Sequence, residues 1–132
     1  MEKYEPLNKF FKNTRRHRRF DVETMDIRVR AKAESETSAS AEDYKVISIN
    51  LGGALMEGSI SHKRESRLLM EVLLPENVRI SITGRITSCH SSKSTGKLYD
   101  VGIEFVSMSE PDKAILKKFI HWLYLKDAGF TE

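Results

Sequence analysis

A dense basic run near the start of the chain is the first candidate for chemistry. The letters RRHRR occupy positions 15–19 and are followed by Phe20. Guanidinium groups are planar and permanently charged, and their forked N–H donors match two phosphate oxygens or the O6 and N7 atoms of guanine. A basic run alone is more typical of a solvated, nonspecific anion patch. The run therefore predicts a phosphate-bearing partner, and a specific nucleotide site requires a second element.

A second polar group begins about 30 residues later, in the segment SINLGG at positions 48–53. Ser48 and Asn50 stand at alternate positions of a predicted strand, so their side chains share one face. Their hydroxyl and carboxamide groups can hydrogen-bond a base edge or a phosphate. Gly52 and Gly53 predict a tight turn after the strand. A glycine pair by itself is more often a turn than a ligand contact, but its spacing from the arginines favours a joint site.

Together these two segments resemble the PilZ family, whose pattern is R-x-x-x-R followed about 30 residues later by D/N-x-S-x-x-G. Arg15 and Arg19 match the first element, and Gly53 matches the end of the second. Ser48 stands where the family has Asp or Asn, and Asn50 stands where it has Ser. A serine cannot supply the carboxylate that would accept two guanine N–H donors. The segment VGIEF at 101–105 also looks like the family's glycine-containing closing strand.

The resemblance implies a receptor for cyclic di-GMP that has no catalytic residues, no metal and no cofactor. By position, Arg15 and Arg19 would bind guanine and phosphate, with Arg16 and Arg18 as auxiliary cations. Ser48 and Asn50 would bind ligand edges, and the glycines would admit close approach of the backbone. Ligand would order the N-terminal arm and change the surface offered to a protein of a motility, exopolysaccharide or secretion system. The implied ligand-binding residues are Arg15, Arg16, Arg19, Ser48, Asn50, Gly52 and Gly53.

Two other functions compete with the receptor. The departures at Ser48 and Asn50 favour a degenerate PilZ adaptor that binds proteins and no nucleotide, whereas the intact Arg15 and Arg19 favour the receptor. A nucleic-acid binder would also use a basic arm. The sequence indicates neither an aromatic stacking platform nor a recognition helix, so this third function is the least favoured.

Other chemistry is not predicted. Cys89 is the single cysteine, and the adjacent His90 would point to the opposite face of a strand, so the pair does not predict a metal site. No nucleophile, base and orienting group form a catalytic set, and we expect no enzyme activity. The first residues carry charges and a proline where a signal peptide needs an apolar stretch. We therefore expect a cytoplasmic protein without a membrane span.

Strands must position most of these residues, because apolar side chains alternate with polar ones at every second position. In the strand at 44–50, Ile47 and Ile49 are predicted to share one face, with Val46, Ser48 and Asn50 on the other. The apolar run at 68–74 predicts a strand buried on both faces, and Gly84 predicts either a bulge or a sharp bend where a barrel closes. The predicted strands are 25–32, 44–50, 54–57, 68–74, 78–88 and 99–105.

A helix is predicted at the end of the chain. Ser109 and Asp112 have the spacing of a capping box, and apolar residues then recur every three or four positions. We expect the apolar face of Ile115, Leu116, Phe119, Ile120 and Leu123 to cover the barrel. The predicted fold is mainly β, an antiparallel PilZ-type barrel of about six strands with a C-terminal α-helix. At 132 residues we expect one domain over 1–132, with a basic arm at 1–21, the barrel at 22–107 and the helix at 109–128.

Overall fold

A computed structural model describes residues 19–35, 41–92 and 97–129. Arg15 and Arg16 lie outside these ranges. Within them the chain forms seven strands and one α-helix, with single 3₁₀ turns at Glu23–Met25 and Pro75–Asn77. The strands are β1 (Phe20–Asp21), β2 (Arg28–Ala33), β3 (Glu42–Ile49), β4 (Gly53–Gly58), β5 (Arg67–Leu74), β6 (Val78–Ser91) and β7 (Tyr99–Ser107), and α1 is Glu110–Asp127.

Six of the strands close into an antiparallel barrel in the order β3-β2-β5-β6-β7-β4, with β4 pairing back onto β3. The short β1 pairs with the end of β3, where Phe20 lies opposite Ile49. The predicted fold class, a mainly β antiparallel barrel with a C-terminal helix, is confirmed. Within the described ranges, no helix combines the length and the apolarity that crossing a membrane requires.

The core fills the barrel and continues under α1. Alternate residues of each strand point inward, as the period of two requires. On α1, Leu116, Ile120 and Leu123 are buried, and Ile115 and Phe119 pack against the core while remaining partly exposed. The predicted apolar face of the helix is therefore the face that covers the barrel.

Only half of the predicted capping box forms at the start of α1, and the other residue of the pair, Asp112, bonds to the barrel. The Ser109 hydroxyl accepts a hydrogen bond from the Asp112 N–H at 3.2 Å, as an N-cap serine should. The Asp112 carboxylate accepts one from the Ser81 N–H of β6 at 3.0 Å. The carboxylate thus joins the helix to β6, because the strand amide is within its reach.

Two predictions about strand faces were wrong. A register shift lies between Val46 and Ser48 of β3, so Val46 is buried and Ile47 is only partly buried. A bulge adds one residue and reverses the face of those around it. Strand β5 alternates between buried and exposed residues, and Leu69 is 40% exposed, because a barrel strand has only one inner face. The predicted bulge at Gly84 is confirmed by a register shift between Thr83 and Gly84.

A tyrosine–histidine pair makes the folded state sensitive to pH. The buried Tyr44 hydroxyl is hydrogen-bonded to Nε2 of His62, and burial lowers the pKa of His62. The unfolded chain then takes up a proton more readily, so the free energy of unfolding should decrease as pH falls below about 6.5. Burial raises the pKa of Tyr44 to about 12, so stability should also decrease as pH rises above about 10.

Urea unfolding between pH 7.5 and 5 checks the acid limb. His62→Gln keeps an acceptor for Tyr44 but cannot titrate, so the free energy of unfolding should depend less on pH in this variant. His90→Gln, at an exposed position on β6, is the matched control and should leave it unchanged. Equal acid slopes in the wild type and His62→Gln would contradict the assignment.

Candidate functional site

The pairing of β1 with β3 sets the position of Arg19. Phe20 is 5% exposed and belongs to the core, so it anchors the chain directly after Arg19. Phe20 lies opposite Ile49 and Asp21 lies opposite Ser48. Continuing this register places Arg19, which is exposed, across from Asn50. Residues far apart in the sequence are thereby brought together, as the arginine pattern predicts.

The turn between β3 and β4 is held by Asn50. Its Oδ1 accepts hydrogen bonds from the N–H groups of Gly52 at 2.8 Å and Gly53 at 2.7 Å. The Asn50 N–H donates to the Gly53 carbonyl, and the Phe105 N–H donates to the Gly52 carbonyl at 2.8 Å. Side-chain acceptors of this kind replace backbone groups in tight turns. None of the residues that the structure describes accepts from the Asn50 carboxamide nitrogen, so this donor can face a ligand.

Glycines allow β4 and β6 to approach β7 closely beside this turn. A Cβ on Gly53 would lie 2.1 Å from the carbonyl oxygen of Ile103 on β7. A Cβ on Gly102 would lie 2.5 Å from Oγ of Ser88 on β6. The space left by Gly53 is thus taken by the β7 backbone, and the space left by Gly102 is taken by the Ser88 side chain.

An open pocket of about 460 Å³ unites these features. It is lined by Arg19, Ser48, Asn50, Gly52 and Gly53, so these predicted site residues lie together. Arg15 and Arg16 lie outside the described residues, and their place at the site stays a prediction. A larger groove of about 640 Å³, between β2, β5, β6 and the start of α1, is lined by none of the predicted site residues that fall within the described ranges.

Sequence reasoning missed the far wall of the pocket. Thr87 and Ser88 of β6, and Gly102 and Glu104 of β7, line it as well. A glycine inside a strand is a signal of close approach and could have indicated Gly102. The sequence gives no sign that Glu104 belongs to a site, because its neighbours in space, Gly53 of β4 and Arg85 of β6, are distant in the chain.

An ion-pair network holds Glu104 in place. Arg85 Nε donates to Glu104 Oε1 at 2.9 Å, and a second guanidinium nitrogen of Arg85 also contacts this oxygen. The remaining nitrogen donates to Glu65 Oε1 at 2.6 Å. The hydrogen bonds to Glu104 and then to Glu65 raise the pKa of Arg85, so the guanidinium stays charged.

The pocket lining combines the Arg19 guanidinium, the Asn50 amide and the Glu104 carboxylate with hydroxyl side chains and several glycines. This set can bind an anionic, hydrogen-bonding ligand. Across the described ranges, no three His, Cys, Asp or Glu side chains form a group that could hold a metal. Cys89 accepts a hydrogen bond from the His62 N–H at 3.4 Å and lies outside the pocket lining.

Comparison with known proteins identifies one matching family. The sequence matches the family model described as PilZ domain over residues 13–122. No curated protein matches the sequence.

Three solved structures illustrate the fold similarity. The MrkH–c-di-GMP complex of K. pneumonia gives a TM-score of 0.71 at 16% identity, covering 86% of this chain and 53% of that one. YcgR of Escherichia coli in complex with c-di-GMP gives 0.68 at 13% identity, covering 86% and 47%. The Bacillus subtilis inhibitor of motility MotI/DgrA gives 0.68 at 15% identity, covering 83% and 51%. The chain spans about half the length of each.

Proposed function

Since this chain belongs to the PilZ domain family, we propose that it is a receptor for cyclic di-GMP. The observation that carries the proposal is the single pocket that unites Arg19 with Ser48 and Asn50. Structures similar in fold, MrkH and YcgR, were solved in complex with c-di-GMP. The pocket volume of about 460 Å³ also lies in the range usual for small-molecule sites, about 300–1,000 Å³.

The pocket chemistry suits a guanine nucleotide. The Arg19 guanidinium can bind phosphate oxygens or the O6 and N7 edge of guanine. The Asn50 amide and the Ser48 hydroxyl supply neutral hydrogen bonds that orient the base or the sugar–phosphate ring. Arg15 and Arg16 would add cations from the same arm, so ligand would order the arm against the barrel.

Titration calorimetry of the full chain with cyclic di-GMP tests the receptor. We expect saturable binding and a ligand-dependent rise in the unfolding temperature, because a ligand that binds only the folded state stabilises it. Cyclic di-AMP, which has the same phosphates and a different base, is the control and should bind more weakly. A folded protein that shows no heat of binding and no thermal shift with cyclic di-GMP would reject the receptor function.

The proposed output is a change in the surface offered to a protein of a motility, exopolysaccharide or secretion system. A second candidate, a nucleotide-independent adaptor, is favoured by Ser48 at the Asp/Asn position of the family pattern and by the use of Asn50 Oδ1 inside the turn. Ser48→Asp discriminates between the two and leaves the turn acceptor in place. Binding by the wild type and the variant supports the receptor, and binding by the variant alone supports the adaptor.

A further inference from the structure

The pocket contains a carboxylate on β7, whereas the family pattern places its Asp or Asn on β3. Among the described residues that line the pocket, Glu104 is the only acidic one. It lies on β7, with Gly53 of β4 on one side and Arg85 of β6 on the other. Ser48, at the Asp/Asn position of the pattern, lines the same pocket from β3. The pocket therefore has a carboxylate from β7 and lacks, on β3, the Asp or Asn of the family pattern.

The surroundings leave Glu104 open toward the pocket. Gly53 is its partner across the β4–β7 ladder, and Gly102 precedes it by two residues on the same face of β7. Neither glycine has a side chain to cover the carboxylate. The Glu104 side chain is 49% exposed.

Arg85 orients Glu104 and leaves one oxygen available. Two guanidinium nitrogens of Arg85 bond to Oε1 of Glu104, and the third bonds to Glu65. Within the described part of the chain, Oε2 of Glu104 has no hydrogen-bond partner. A carboxylate oxygen has two lone-pair sites, so Oε2 can accept two donors from a ligand. The positive charge of Arg85 also reduces repulsion between Glu104 and the ligand phosphates.

Guanine has the donors that such an oxygen requires. Its N1–H and its 2-amino group stand side by side, whereas adenine has an acceptor at N1 and only a C–H at position 2. We propose that Glu104 accepts the N1–H and 2-amino groups of a bound guanine, and that it thereby supplies the base specificity that Ser48 cannot. This inference rests on the proposed function, because it assigns the base contact within the same pocket.

Calorimetry with cyclic di-GMP and with its inosine analogue, which lacks the 2-amino groups, tests the inference. We expect Glu104→Gln to bind cyclic di-GMP about 10- to 150-fold more weakly, because the neutral amide loses the charge-assisted acceptor. The preference of the wild type for cyclic di-GMP over the inosine analogue should shrink in the variant. Glu65→Gln, which also removes a partner of Arg85 but lies outside the pocket lining, is the control and should keep wild-type affinity.

The outcomes separate this inference from the function on which it rests. Binding by the wild type with equal affinity and base preference in Glu104→Gln would overturn the role of Glu104 and leave the receptor intact. Absence of binding by the wild type would overturn both. A double variant, Glu104→Gln with Ser48→Asp, returns a carboxylate to the pocket from β3. Recovered affinity would show that the lost group was the carboxylate, and no recovery would overturn that assignment.

Discussion

Arg19→Ala is expected to bind cyclic di-GMP about 5- to 150-fold more weakly than the wild type, the equivalent of about 1–3 kcal/mol. The side chain is exposed beside the pocket, and its backbone is positioned by Phe20 in the core. Removing it should therefore leave the barrel intact while the ligand loses a charged, forked donor. Calorimetry of the purified variant measures the loss, and unfolding by urea confirms that stability is unchanged.

Two companion variants sharpen the result. Arg79→Ala removes an exposed arginine of β6 that forms an ion pair with Glu71 outside the pocket, and it should keep wild-type affinity. Arg19→Lys keeps the charge but loses the planar fork, so it should recover only part of the affinity. Wild-type affinity in Arg19→Ala would show that the arginine pattern does not act at this pocket.

Gly53→Ala is expected to lower the free energy of unfolding by about 3 kcal/mol, the upper end of the cost of overpacking. The added Cβ would lie 2.1 Å from the Ile103 carbonyl oxygen. That oxygen belongs to the β7 backbone and cannot rotate away, so β4 and β7 must separate. Because both strands line the pocket, ligand binding should weaken as well. Urea unfolding measures the first effect and calorimetry measures the second.

Gly129→Ala is the matched control for this clash. Gly129 follows α1 at φ 86°, and, its chain neighbours aside, none of the described residues places an atom within 4 Å of an added Cβ. The substitution should cost only the strain of a left-handed backbone, about 1–2 kcal/mol, and should leave ligand affinity unchanged. If Gly53→Ala were no more destabilising than Gly129→Ala, the close approach of β7 would not be what requires glycine at position 53.

Much of the fold was predictable from local sequence. The alternation in β2, the capping serine before α1 and the apolar face of the helix each depend on residues within a few positions of one another. The errors arose where the local signal was ambiguous. The bulge at Ile47 reverses side-chain faces without any glycine or proline to mark it, and the apolar run of β5 conceals which residues face outward.

The candidate site likewise has some features that the sequence predicted and others that it did not. The resemblance to the PilZ pattern was enough to group Arg19 with the segment 48–53, because both elements and their spacing can be read along the chain. Three features came from the fold alone: Asn50 Oδ1 holds the turn, Gly53 makes room for β7, and Glu104 borders the pocket. The physical reason is barrel closure: the pairing of β4 with both β3 and β7 sets which residues of distant strands become neighbours, and no period within a single strand carries that register.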